Sequence, residues 1–189
     1  MMPCSAAQET DALDVRYTAP VSDLYSGHGW RVFVDEASLP DGRRKKVARI
    51  ERADSVNILA FPSPGKLIVL REYRPYYGAY IWMLPSGRVD KEKDIVAGAQ
   101  RELQEETGYR AGSLKHLWTV HHSESMNFAN HIFLAKDLTE DPLPQDADEM
   151  IEVHLLTPEE ALKNIEESAK VHAVSAYAVR RWMGEGKMA

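Results

Sequence analysis

Apolar and polar positions in this chain repeat with two different periods. From Asp94 to Tyr109 the period is helical: Ile95, Ala99 and Leu103 fall four apart on one stripe. Asp94 is suited to cap the start of that helix, and Gly108 can supply the left-handed residue that stops it. Elsewhere the period is that of strands. Trp30 to Asp35 alternates, Leu39-Pro40-Asp41-Gly42 reads as a turn, and Arg44 to Arg52 is the returning strand of a hairpin. Val56 to Phe61 and Lys66 to Tyr73 are further strands, parted by the turn signal Ser63-Pro64-Gly65. The second of these is apolar at first and polar at its end.

Tyr76-Tyr77-Gly78 reads as a loop, and Trp82 to Ser86 leads toward the helix. Beyond the helix, Leu114 to His121 and His131 to Asp137 are strands around a polar loop, His122 to Asn130. Residues 139–149 form an acidic loop with prolines, and Ile151 to Leu155 is a short strand. Thr157-Pro158-Glu159-Glu160 has a cap, a first-position proline and a reciprocal glutamate, which start a helix. A last helix is expected from about Ala169 to Met183, with Val171, Val174, Ala178 and Trp182 as its apolar stripe. No Gly/Ser- or Pro-rich linker interrupts the pattern. Residues 1–189 are therefore read as a single α/β domain, with a loose arm at 1–25, a hairpin at 26–52 and a core from 53 onward.

Composition narrows the picture. A length of 189 residues suits one domain with a sizeable core. A net charge of −6 argues against sequence-independent nucleic-acid binding. The single cysteine, Cys4, excludes an internal disulfide and a multi-cysteine metal site. No apolar run approaches the roughly 20 residues of a membrane span, and no signal peptide is visible, so a cytoplasmic location is expected.

The candidate chemistry lies at the end of the first helix. Glu102, Glu105 and Glu106 stand at i, i+3 and i+4 and share one face. Such carboxylates repel one another unless a positive charge sits among them, and Arg101 can pair only with one, Glu105. Hard carboxylate oxygens at this spacing suit Mg2+ or Mn2+. An isolated E-x-x-E-E is usually a solvated helix face; the residues around this one change the odds.

The stretch from Gly87 to Tyr109 resembles the signature of the Nudix hydrolases, G-x5-E-x7-R-E-U-x-E-E-x-G-U, with U an apolar residue. Gly87, Arg101, Glu102, Leu103, Glu105, Glu106, Gly108 and Tyr109 match at the right spacing. Lys93 departs from it, standing where the first glutamate belongs. Arg71-Glu72-Tyr73-Arg74-Pro75 and Trp82 to Gly87 are similar to the ADP-ribose pyrophosphatase branch of that family. The turn after His121 differs from that branch, having Ser123-Glu124-Ser125-Met126-Asn127 in place of a Ser-Pro-Gly turn.

The resemblance implies an α/β/α sandwich with a mixed sheet and an N-terminal β-hairpin. It implies metal-dependent hydrolysis of a nucleoside diphosphate sugar, ADP-ribose first, with GDP-mannose, dinucleotides or a non-catalytic binding module as alternatives. It implies a homodimer in which the N-terminal segment is exchanged. Ser86, through its carbonyl, Glu102, Glu105 and Glu106 are the implied metal ligands, with Arg101 holding Glu105. Arg71 and Arg74 are candidates for the phosphates, and Trp30 is a candidate either for stacking on the base or for a buried anchor of the hairpin. Glu149, in the loop before the last strand, is the implied catalytic base, with Asp148 its competitor and Glu152 a supporting group. His121 and His122 are possible substrate contacts; His131 and His172 are expected to be structural. Met126 and Phe128 are expected either to line a pocket or to anchor their loop.

Overall fold

Residues 56–61 and 67–70 are buried throughout, on strands whose two faces pack against helices. The computed structural model describes residues 22–91 and 94–185. Cys4 and the rest of the N-terminal arm to residue 21, together with Glu92 and Lys93, lie outside them. The chain forms two compact units that meet between Glu51 and Arg52.

The first unit holds β1 (Ser22–Gly27), β2 (Trp30–Ser38) and β3 (Arg44–Arg52), hydrogen-bonded in that order. β3 has the boundaries expected of the returning strand. β1 was not expected, because Ser22 to Tyr25 falls in the segment read as a loose arm. It joins β2 through His28 and Gly29, whose φ values of 51° and 74° are those of a tight hairpin turn. The expected two-stranded hairpin is thus a three-stranded meander.

The second unit is the sandwich. Its strands are β4 (Ser55–Ala60), β5 (Leu67–Arg74), β6 (Ala79–Met83), β7 (Ser86–Arg88), β8 (Tyr109–His121), β9 (Met126–Asn127), β10 (Ala129–Glu140) and β11 (Ile151–Leu156). Its helices are α1 (Ile95–Thr107), α2 (Pro158–Glu166) and α3 (Ala173–Gly184). One sheet runs β7-β4-β10-β8, with β4 and β10 parallel and the other pairs antiparallel. The other runs β11-β5-β6 and is antiparallel throughout.

Alternation along β4 and β5 divides the core in two. Val56, Ile58, Ile68 and Leu70 pack with Ala99 and Leu103 of α1. Leu59, Leu67 and Val69 pack with Ala161 and Ile165 of α2 and Val179 and Trp182 of α3. A strand buried on both faces reads as a continuous apolar run, which is why Leu67 to Leu70 lack alternation.

The ends of α1 and α2 are those expected. Asp94 Oδ1 accepts from Val96 N at 3.1 Å, and Gly108 closes α1 at φ 76°. Thr157 and Glu160 form a reciprocal capping box at α2. α3 begins four residues later than the expected Ala169. His172 stands at its N-cap position without a side-chain cap, and Val171, which fits the apolar stripe by spacing, is exposed.

Candidate active site

α1 meets β7 at a distance that only a glycine permits. A Cβ on Gly87 would overlap the Glu102 carboxylate. One residue earlier, Ser86 N–H donates to Glu106 Oε2 at 2.7 Å. The short strand and the helix are thus tied through the acids of the helix. Gly87 and Ser86 are placed by pairing with Val56 and Asn57 of β4.

Arg101 organises the same acids. Its Nη2 donates to Glu102 Oε1 at 2.7 Å and to the Arg88 carbonyl at 3.2 Å, and its Nη1 pairs with Glu105 Oε2. The sequence reading gave it Glu105 alone; it bridges Glu102 and Glu105. All three of these side chains are mostly buried. Burial raises the Glu102 carboxyl to about 7, against the opposing pull of Arg101. Burial pushes Glu106 well above the usual carboxylate range, with Glu102, Glu149 and Glu72 adding to the effect and the Ser86 N–H opposing it.

A second group of side chains faces this cluster from β5 and the loop before β11. Tyr73 N donates to the Met150 carbonyl at 3.0 Å, which fixes the end of the loop beside the polar end of β5. Glu149 is partly buried there, while Asp146 and Asp148 are exposed. Burial raises Glu149, Asp146 and Asp148 raise it further, and Arg74 opposes them. Glu149 in turn raises Glu72, Glu102 and Glu106, which places it within electrostatic reach of the helix acids.

Glu72 was not singled out from the sequence. It is 4% exposed, and Arg74 Nη2 lies 2.6 Å from its Oε2. It stands beside Arg71 in the polar end of β5, where no local signal sets it apart.

The two candidate arginines part company here. Arg71 and Arg74 lie on opposite faces of β5, since they stand an odd number of positions, three, apart. Arg74 shares the face of Glu72. Arg71 donates from Nη1 to both oxygens of Glu152, at 3.0 and 2.9 Å, and stacks 4.0 Å from the Tyr80 ring centre. The structure therefore does not bring Arg71 to the acids of α1, and it gives Glu152 to Arg71. Trp30, at the start of β2 in the first unit, is 39% exposed. That exposure does not fit a buried hairpin anchor.

His121 and His122 are exposed at the end of β8. His122 Nε2 lies 2.6 Å from the Asn130 amide, which also holds Asn57. Phe128 is buried under the Arg52 guanidinium, 3.9 Å away, and so anchors its loop, whereas Met126 is exposed. His131 bonds Asp54 and Thr119 within the fold. His172 lies 2.7 Å from Ser175 Oγ.

Among the described residues no three His, Cys, Asp or Glu side chains are gathered as a ready cation cage. The donor chemistry nonetheless fits a hard divalent cation. The bonds to Arg101 and Ser86 engage one oxygen each of Glu102, Glu105 and Glu106, and each carboxylate has a second. Burial lifts Glu102 and Glu106 and neighbouring carboxylates add to it, and a bound cation would offset both effects. Lys93 lies outside the described residues.

Comparison with known proteins agrees with this geometry. The NUDIX domain profile matches residues 51–177. The chain is 32% identical to an ADP-ribose pyrophosphatase of Bacillus subtilis (strain 168), over 86% of this chain and 90% of that one. It is 29% identical to a methanol dehydrogenase activator of Bacillus methanolicus, with the same coverage. A crystal structure of an ADP compounds hydrolase superposes with a TM-score of 0.70, at 23% identity, over 87% of this chain and 92% of that one.

Proposed function

Because this chain belongs to the Nudix family of hydrolases, we propose that it hydrolyses the diphosphate of ADP-ribose, giving AMP and ribose 5-phosphate, with Mg2+ or Mn2+ as the cation. The likeness to the Bacillus subtilis ADP-ribose pyrophosphatase supports this substrate. The observation that carries the chemistry is the cluster on α1: three glutamates ordered by Arg101 and by the Ser86 N–H.

Glu102, Glu105 and Glu106, with the Ser86 carbonyl, would hold the cation on a rigid helix. When bound, the cation neutralises the diphosphate oxygens on which charge develops. Arg101 keeps Glu102 and Glu105 in place. Arg74 lies on the cluster's face of β5 and takes the phosphate role; Arg71 lies on the opposite face, paired through Nη1 with Glu152. Glu149 takes the proton of the attacking water, and the bond from phosphorus to the bridging oxygen breaks. A base separate from the helix is needed, because a carboxylate engaged by a cation is a poor proton acceptor.

The proposal includes a cytoplasmic homodimer, with Trp30 of the N-terminal strands on the adenine. Light scattering should give twice 21.3 kDa, and deletion of residues 1–52 should abolish activity. A panel of ADP-ribose, GDP-mannose and dinucleotides with Mg2+, scored for nucleoside monophosphate release, tests the substrate. AMP formed fastest from ADP-ribose supports the reading. Preference for another nucleotide removes ADP-ribose, and no turnover of any would favour a binding module.

A further inference from the structure

Glu72 is an acid buried among acids. Its nearest electrostatic neighbours include Glu149, and it adds to the repulsion felt by Glu106. A glutamine or an apolar residue would fill the same strand position without that repulsion. A carboxylate there calls for an account of what it holds.

It holds Arg74. The two residues stand at i and i+2 on β5 and so project from the same face. Arg74 Nη2 lies 2.6 Å from Glu72 Oε2, yet that oxygen has no aligned hydrogen-bond donor. Nη2 also donates to Met83 Sδ at 3.4 Å. Among the described residues these contacts engage one nitrogen of the guanidinium, and the rest of the fork has no protein partner. The Arg74 side chain is 41% exposed, while that of Glu72 is 5% exposed. Arg71, on the opposite face, is paired through Nη1 with both oxygens of Glu152. A guanidinium pinned at one corner by a buried charge keeps its planar donor array for an incoming anion.

We propose that Glu72 is a positioning residue: it fixes the Arg74 guanidinium so that its remaining donors receive the diphosphate of the substrate. This rests on the hydrolase reading for the identity of the substrate, and on the geometry of β5 for the clamp. Loss of the Glu72 charge frees the guanidinium to fold over Met83 or into solvent, and each phosphate contact must then be bought with its ordering. Without Arg74, the same charge has nothing to position.

The test is a double-mutant cycle of Glu72→Gln and Arg74→Ala. It has two readouts: kcat and KM for ADP-ribose with Mg2+, and the Kd of ADP by calorimetry in EDTA. Glu72→Gln is expected to raise KM and the ADP Kd by about 5- to 10-fold, with kcat within about twofold of wild type. In the Arg74→Ala background it should add nothing. Unchanged KM and Kd in Glu72→Gln, or an effect that adds in full to that of Arg74→Ala, overturns the clamp. A wild type that binds ADP with the expected cycle but does not turn over ADP-ribose overturns the substrate reading and leaves the clamp standing. Should Glu72→Gln not fold, Arg74→Lys carries the test, since it keeps the charge and loses the fork. It should weaken ADP to a similar extent, and unweakened binding overturns the proposal.

Discussion

Gly87 and Glu102 are in contact so close that the glycine has no room for a side chain. Gly87 is not held in a left-handed conformation, so an alanine there meets an obstacle of space alone. Gly87→Ala must displace either the Glu102 carboxylate or β7. We expect a fold that survives with kcat reduced by at least ~10²-fold, on the scale of losing one strong transition-state contact. Circular dichroism and steady-state kinetics check the two halves of that expectation.

Arg101→Met should destabilise the metal-free protein. It leaves Glu102 and Glu105 without the arginine that bridges them in a mostly buried site. Removing one partner of a buried ion pair typically costs roughly 3–5 kcal/mol. Added Mg2+ or Mn2+ should restore part of the melting temperature, because a cation replaces the lost charge. Thermal unfolding in EDTA and in Mg2+ measures both effects.

Stability should fall as pH rises in the absence of metal. Burial raises Glu102 from 4.5 to about 7, so the folded state binds its proton more tightly than the unfolded chain does. That contribution is full below about pH 4.5 and is lost as pH rises through 7. It amounts to at most about 3 kcal/mol. Glu106 and Glu72 are raised and act in the same direction. Denaturant unfolding in EDTA at pH 5 and pH 8 should show a smaller difference for Glu102→Gln than for wild type.

His172 should act in the opposite direction. Burial lowers it from 6.5 to about 4, so the folded state resists its protonation. Its contribution is full above pH 6.5 and is lost as pH falls through 4. Burial is the main cause, and the charges of Arg74 and His122 add to it. His172→Asn should unfold less readily than wild type on going from pH 7 to pH 4.5, as measured by urea midpoints.

Glu149→Gln should lower kcat by ~10²–10⁴-fold, the usual contribution of a general base, with little change in the Mg2+ midpoint. Asp148→Asn should have a much smaller effect, because Asp148 is exposed while Glu149 is partly buried and within electrostatic reach of Glu102 and Glu106. Near-normal turnover in Glu149→Gln would remove the base assignment.

The features readable from sequence are those that a local rule enforces. Asp94 and Gly108 bound α1 because a capping carboxylate and a left-handed glycine are local devices. The spacing of Arg101, Glu102, Glu105 and Glu106 fixes their shared face for the same reason. β1 was hidden because five of its six residues are exposed, and it carries no apolar face to reveal its period. β7 is three residues long, too short for a period, and pairing with β4 defines it. The start of α3 at Ala173 has no side-chain cap to announce it, and Ser175 in its first turn is tied to Leu84 N from a distant strand end. Glu72 and Arg71 look alike at the polar end of a strand. Only the packed sheets show that Glu72 is buried and that Arg71 is taken by Glu152.

The central claim is that the carboxylates of α1 hold a catalytic cation, and Glu106→Gln tests it most directly. The change removes the charge and keeps the shape beside the Ser86 N–H. With ADP-ribose and saturating Mg2+, AMP release should fall by at least ~10²-fold while the circular dichroism spectrum stays that of wild type. AMP release at near wild-type rate from folded Glu106→Gln would contradict the account.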